Sequence, residues 1–243
     1  MTADRPALSV VIPAFNEAGR IGATLEQLSA YLAGRPWDWE IRVVDDGSAD
    51  ATAAIVADWS RTHAETVLQR EPHRGKGGAV KAGLLAARGD YRFICDADLS
   101  MPAAELHRFM PPVLRDFDVA IGSREGAGAR RVGEPWRRHA VGRIFNFAIR
   151  RLVVPGIADT QCGFKMFTAE SVRAIFPRVA LDGWAFDVEV LSIARALNLR
   201  IVEVPIEWHH RPQSQLSVLR DSWPMLRDLF RIRARTRRGR LLK

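Results

Sequence analysis

The sequence predicts an α/β fold: a mainly parallel sheet with helices on both faces. Three observations carry that prediction. Short apolar runs alternate with helix-spaced segments through the first half of the chain, and the early runs end in Pro, Gly or acidic residues. A length of 243 residues with 47% hydrophobic and 26% charged content is enough to bury one large core. Ligands of such sheets gather at the carboxyl ends of the strands, so the polar exits are where function is sought.

Leu8 to Ile12 is a buried strand stopped at Pro13, and Ile21, Leu25, Leu28 and Leu32 mark one face of a helix. Glu40 to Val44 is a second strand, followed by the turn Asp45-Asp46-Gly47-Ser48 and a helix through Trp59. Val67 to Gln69 forms a third, short strand. Gly75 to Ala87 opens on glycines as a helix, Tyr91 to Cys95 is a fourth strand, and Val119 to Gly122 a fifth, after a helix interrupted by Pro111 and Pro112. Residues 124–140, rich in Gly and Arg and without periodicity, are expected to be a mobile loop over a site. Helices are expected at Gly142 to Leu152, Ala169 to Phe176 and Phe186 to Leu197, the last leading to a strand at Arg200 to Val204. No internal repeat or long linker divides the chain. The expected organisation is one catalytic domain over residues 1–212 and a basic amphipathic helix and tail over 213–243.

Composition narrows the function classes. Two cysteines, Cys95 and Cys162, make neither a disulfide framework nor a metal-binding spacing, and a reducing compartment is the default. No signal-peptide pattern opens the sequence and no apolar run is long enough for a bilayer span, so a cytoplasmic protein without a transmembrane segment is expected. The net charge of +8 is uneven: Arg130, Arg131, Arg137 and Arg138 cluster mid-chain, and residues 227–243 hold eight basic residues against Asp228. Such clusters seek anions. Leu216, Leu219, Trp223, Leu226 and Phe230 give the last helix one apolar face between arginine-rich flanks. That pattern fits a helix lying on an anionic membrane and equally one docked on the sheet. No aromatic-interleaved basic repeat supports nucleic-acid binding.

Asp96-Ala97-Asp98 is the most informative motif. An apolar run delivers two carboxylates two residues apart at a strand end, and such oxygen donors suit Mg²⁺ or Mn²⁺ when a diphosphate supplies further ligands. In isolation the same motif is only a solvated strand exit. Here Pro13-Ala14-Phe15-Asn16-Glu17 and Asp45-Asp46-Gly47-Ser48 end two other strands, and Arg74-Gly75-Lys76-Gly77-Gly78 opens a helix whose free N–H groups suit a phosphate. The Gly-rich segment is not a Walker loop, since Gly-x₄-Gly-Lys-Ser/Thr is absent, nor a dinucleotide fingerprint, because Val80 stands where the third glycine belongs.

These segments, with Gly122-Ser123-Arg124, Asp159-to-Lys165 and Trp184-to-Glu189, resemble in order and spacing the family 2 glycosyltransferases of GT-A (Rossmann-like) fold. Within that family they are most similar to the polyprenyl-phosphate sugar synthases that make dolichyl-phosphate β-glucose. The resemblance covers residues 8–235. It implies a mainly parallel mixed sheet flanked by helices and an inverting transfer of a hexose, glucose from UDP-glucose, to a polyprenyl phosphate at the cytoplasmic face of a membrane. By resemblance, Pro13, Phe15, Glu17, Asp45, Asp46, Lys76 and Asp96 bind the nucleotide, while Asp96 and Asp98 hold Mg²⁺ or Mn²⁺. Asp159, with Asp98, is catalytic, as base or as orienter. Arg124, Arg138 and Arg143 are the candidates for the acceptor phosphate. Gln161, Lys165, Trp184, Asp187 and Glu189 form the sugar side, although Trp184 also fits a core position. Relatives tend to carry Gly-Ser-Lys where this chain has Gln213-Ser214-Gln215, which leaves Arg211 as the substitute cation. The rivals are a GDP-mannose or UDP-N-acetylhexosamine donor, a saccharide acceptor, or a non-catalytic anion-binding module on the same fold.

Overall fold

The computed structural model describes residues 5–134, 149, 151, 153–210, 218–237 and 241. Strands β1 (Leu8–Ala14), β2 (Trp39–Asp45), β3 (Thr66–Arg70), β4 (Tyr91–Ile94), β5 (Val119–Ser123), β7 (Lys165–Thr168) and β8 (Ile201–Pro205) form one sheet, in the order β3-β2-β1-β4-β7-β5-β8. Helices α1 (Ile21–Ala33), α2 (Thr52–Ser60) and α3 (Lys76–Ala86) connect the first four strands. Such crossovers keep successive strands parallel and cover both faces of the sheet. Leu8, Val10, Val11 and Ile12 are accordingly fully buried, three of them on consecutive positions.

β1 lies between β2 and β4, with Val10 opposite both Ile41 and Phe93. That register brings the exits of all three strands to one edge of the sheet. β7 has no counterpart among the strands expected from sequence. It runs antiparallel to both β4 and β5, with Met166 opposite Phe93 and Ala120. An antiparallel insert starts at the edge where its neighbours end. The loop leading into it, residues 159–164, is therefore delivered beside Asp96 and Arg124.

The expected loop over residues 124–140 needs correction in part. Arg130–Val132 is a strand, β6, paired in parallel with β9 (Glu207–His209), and Arg131 there bonds Glu125 and Glu134 at 2.7 Å. The helix expected before β5 is instead a 3₁₀ segment, Ala103–Phe109. α4 (Ala169–Ile175) and α5 (Phe186–Ala196) flank the second half. Thr168 caps α4, its hydroxyl accepting from the Ser171 amide. The C-terminal helix α6 (Val218–Arg237) packs against α5, burying Leu229 and Ile232. The expected helix at Gly142 to Leu152 lies largely outside the described residues, as do Arg138, Arg143 and Arg211.

Candidate active site

A cleft of about 360 Å³ opens where β1, β2 and β4 end, lined by Pro13, Phe15, Glu17, Asp46, Lys76, Asp96, Asp98 and Trp184 among others. Phe15 stacks on His73 with ring centroids 4.2 Å apart. No sequence pattern singles out His73; its place just before Arg74-Gly75-Lys76 is the signal that could have found it. Asp46 works as an anchor: its carboxylate accepts from the Arg74 and Gly75 amides at 2.9 Å each and meets His73 Nδ1 at 2.9 Å. Asp45 is buried outside the cleft lining and accepts from the Ser48 amide at 3.3 Å, shaping the turn.

Gly75 (φ +108°) is the cap residue just before α3, and only glycine tolerates that backbone. A Cβ there would also stand 2.8 Å from the Asp182 carbonyl oxygen, which accepts from the Gly77 amide at 2.7 Å. Lys76, the first residue of α3, bonds Asp96 Oδ1 at 2.6 Å, with its ammonium 5.7 Å from the centre of the Trp184 ring. Burial pulls the Lys76 pKa down, but Asp96 and Asp187 outweigh it and hold the ammonium above its ordinary value.

The other oxygen of Asp96 rests against Gly163, where a Cβ would collide with Oδ2 and stand 3.0 Å from the carboxyl carbon. Asp98 Oδ1 accepts from the Ser100 amide at 2.9 Å, and the intervening Leu99 is held at φ +45° although it is buried. Left-handed backbone at a branched apolar residue costs about 1–3 kcal/mol and concentrates at functional sites. Asp96 and Asp98 thus present fixed hard-oxygen donors at the cleft floor. No three acidic, His or Cys side chains among the described residues come together as a self-sufficient metal cage. Such a donor pair fits Mg²⁺ or Mn²⁺, which bind one or two carboxylates and complete their shell with phosphate oxygens and water. Burial, only partly offset by Arg20, together with Asp98 and Asp96, raises the Glu17 pKa.

A second cluster lies beyond β4. Asp159 is 1% exposed, and Arg124 closes on it through its backbone amide (3.0 Å), Nε (2.7 Å) and Nη2 (2.9 Å). Burial opposes the charge on Asp159, yet Arg124 wins and depresses its pKa to about 2. Glu203 fixes the loop by accepting from the Ala158 and Asp159 amides at 2.8 and 3.0 Å. Gln161 lies beside this pair, and its Nε2 is buried without a hydrogen-bond partner among the described residues. Lys165 and Asp187 are expected on the sugar side, but Lys165 is fully buried, bonded to Asp187 at 2.5 Å and to the Cys162 carbonyl. Glu189 is also fully buried and accepts from the Ala180 and Leu181 amides. As placed, Lys165 and Glu189 hold backbone groups, and Asp187 is the buried counter-ion of Lys165.

A mainly parallel sheet with one antiparallel insert, and a cleft at its strand ends lined by aromatic, cationic and paired acidic side chains, is the architecture of the GT-A glycosyltransferases. The chain belongs to glycosyl transferase family 2, whose sequence profile matches residues 9–176. It is 36% identical to the dolichyl-phosphate beta-glucosyltransferase of Dictyostelium discoideum over 249 residues, 96% of this chain and 75% of that protein. To the enzyme of that name from Saccharomyces cerevisiae it is 34% identical over 93% of this chain and 74% of the yeast protein. Two solved structures share the fold at 20% identity. Glucosyl-3-phosphoglycerate synthase from Mycobacterium tuberculosis, solved with Mn²⁺, UDP and glucosyl-3-phosphoglycerate, superposes with a TM-score of 0.68 over 95% of this chain and 79% of that one. Mannosyl-3-phosphoglycerate synthase from Rubrobacter xylanophilus reaches 0.70 over 98% and 76%.

Proposed function

We propose that this glycosyltransferase moves glucose from UDP-glucose to the phosphate of a polyprenyl lipid of the dolichyl type, giving a β-linked product. The observation that carries the reading is the similarity to dolichyl-phosphate beta-glucosyltransferases along nearly all of this chain, 36% over 96% of it and 75% of the Dictyostelium discoideum protein.

Phe15 and His73 provide aromatic surface for the base, and the α3 N-terminus with Lys76 faces the diphosphate. Asp96 and Asp98 would hold Mg²⁺ or Mn²⁺, whose chemistry is to neutralise charge developing on the departing nucleoside diphosphate. Lys76 adds its own fixed positive charge there. The Nε2 of Gln161, buried and without a partner among the described residues, is a donor suited to a sugar hydroxyl. A phosphate monoester has a second pKa near 6, so the acceptor reaches the site mostly as the nucleophilic dianion. Asp159, with a pKa of about 2, is a poor proton acceptor and a strong partner for Arg124. Its role is to aim the guanidinium that meets the acceptor phosphate, and single displacement at an α-linked donor leaves the β product.

The lipid acceptor requires contact with a membrane. No helix among the described residues is long and apolar enough to cross one. Arg227, Phe230 and Arg231 are exposed on α6 and suit peripheral attachment to the anionic cytoplasmic face, at about 1 kcal/mol per basic residue near the surface.

The test is transfer of radiolabel from UDP-glucose, GDP-mannose and UDP-N-acetylglucosamine into organic-extractable lipid, with polyprenyl phosphate and Mn²⁺ present. Label from UDP-glucose alone is the expected result. Label from another donor, or none while UDP still binds, would sink the assignment of donor or of acceptor respectively.

A further inference from the structure

The fully buried Glu189 sits in the first turn of α5 and has two sets of partners. Its Oε2 accepts from the Ala180 and Leu181 amides at 2.9 and 2.8 Å, and its Oε1 takes the guanidinium of Arg235, from the last turn of α6. Arg235 also reaches the Arg178 carbonyl at 3.5 Å, and Lys81 Nζ donates to the Val179 carbonyl at 2.7 Å. The segment 178–181 is thus held by charged groups from helices α3, α5 and α6.

Immediately C-terminal to that segment, residues 182–184 form the wall of the donor cleft. Asp182 accepts the Gly77 amide on its carbonyl and pairs with Arg74 at 3.0 Å through its carboxylate, while Gly183 and Trp184 line the cleft. The fit to α3 has no slack. A Cβ on Gly77 would meet the Leu181 carbonyl oxygen at 2.7 Å, and one on Gly75 would meet that of Asp182 at 2.8 Å. Contacts this close are backbone against backbone, so a shift at residues 180–181 moves the turn that carries Lys76.

We propose that Arg235 and Glu189 are positioning residues for the donor site, through which the C-terminal helix holds segment 180–184 against the phosphate-facing start of α3. The chain of contacts runs from Arg235 to Glu189, to the Ala180 and Leu181 amides, to Asp182 and Trp184, and ends at Lys76 and Asp96. A buried carboxylate stripped of its cation carries a large desolvation penalty and pulls its surroundings toward water. Loss of Arg235 therefore loosens the wall rather than merely an exposed helix end.

The probe is UDP with Mn²⁺, so the affinity arm rests on the donor reading above, and a second arm does not. In the full chain, Arg235→Met keeps the aliphatic stem and removes the charge, Arg235→Lys restores a cation, and Ser9→Ala is a control. Ser9 bonds Glu40 at the opposite end of β1, so its loss lowers stability without touching the cleft. Calorimetric titration should show UDP affinity about fivefold or more weaker in Arg235→Met, largely recovered in Arg235→Lys and unchanged in Ser9→Ala. Hydrogen exchange over residues 74–82 should rise in Arg235→Met and not in Ser9→Ala, whether or not nucleotide binds. Unchanged exchange over 74–82 overturns the proposal, as does equal loss of UDP affinity in Ser9→Ala. A wild-type protein that binds no UDP, with the exchange difference intact, refutes the donor reading and leaves the positioning role standing.

Discussion

Two groups of charges stand at the same edge of the sheet and do different work. In the cleft at the ends of β1, β2 and β4, Glu17, Lys76, Asp96 and Asp98 line open space and present charge to it. A few residues away, Asp159, Lys165, Asp187 and Glu189 are each no more than 5% exposed and are paired within the protein. The first group can exchange partners with a ligand at modest cost. The second has been desolvated during folding, and its free energy is committed to geometry. Residue type alone does not separate a binding group from a holding group; solvent access and partner do.

The comparison is broken most severely by removing one member of a buried pair. Lys165→Met leaves Asp187 buried without its cation and should lower stability by about 3–5 kcal/mol, read as a shift in urea midpoint. Lys165→Met/Asp187→Leu should recover much of that loss, because the pair is then replaced by apolar groups. A single variant as stable as wild type would show that Lys165 is not holding the fold. In the open cleft the effects reverse. Asp98→Asn should keep the thermal midpoint within about 2 °C while transfer falls by about 100-fold or more, the scale of a lost charge-stabilising contact. Full turnover in that variant would remove Asp98 from the metal role.

The open group is the more legible of the two in the sequence. Pro13-to-Glu17, Asp45-Asp46 and Asp96-Ala97-Asp98 lie at the ends of apolar runs, and parallel topology alone brings such ends together. The paired group depends on β7, and Lys165-Met166-Phe167-Thr168 is too short to show a period. Without that strand nothing links Asp159 to Arg124, which are 35 residues apart in the chain, or Gly163 to Asp96. Lys165, Asp187 and Glu189 therefore read as sugar contacts, and the structure places all three buried in ion pairs within the protein. His73 escapes sequence reading for a different reason: a lone histidine before a glycine-rich turn has no pattern of its own.

Gly163 joins the two groups and gives a smaller, more diagnostic effect. A methyl group there would collide with Asp96 Oδ2, and a carboxylate held by Lys76 on its other oxygen can only rotate or retreat. Gly163→Ala should weaken Mn²⁺-dependent UDP binding about tenfold, through small misplacement of one donor, with less change in UDP binding measured without metal. An equal loss with and without Mn²⁺ would mean that the glycine serves the backbone and not the carboxylate.

The finest test uses pH on the Asp159–Arg124 pair. Burial alone would raise the Asp159 pKa, but Arg124 depresses it from 3.8 to about 2, so the folded state binds the proton more weakly than the unfolded one. A depressed carboxylate contributes stability that is complete above 3.8 and is lost as pH falls through about 2. About 1 kcal/mol of that contribution should disappear between about pH 5 and pH 3. Asp159→Asn has no proton to gain, so the stability gap between wild type and variant should narrow by that amount over the interval. A gap that stays constant would mean that the carboxylate titrates normally in the folded protein. Asp159 would then be free of Arg124 in solution and available as a base, which the paired geometry denies it.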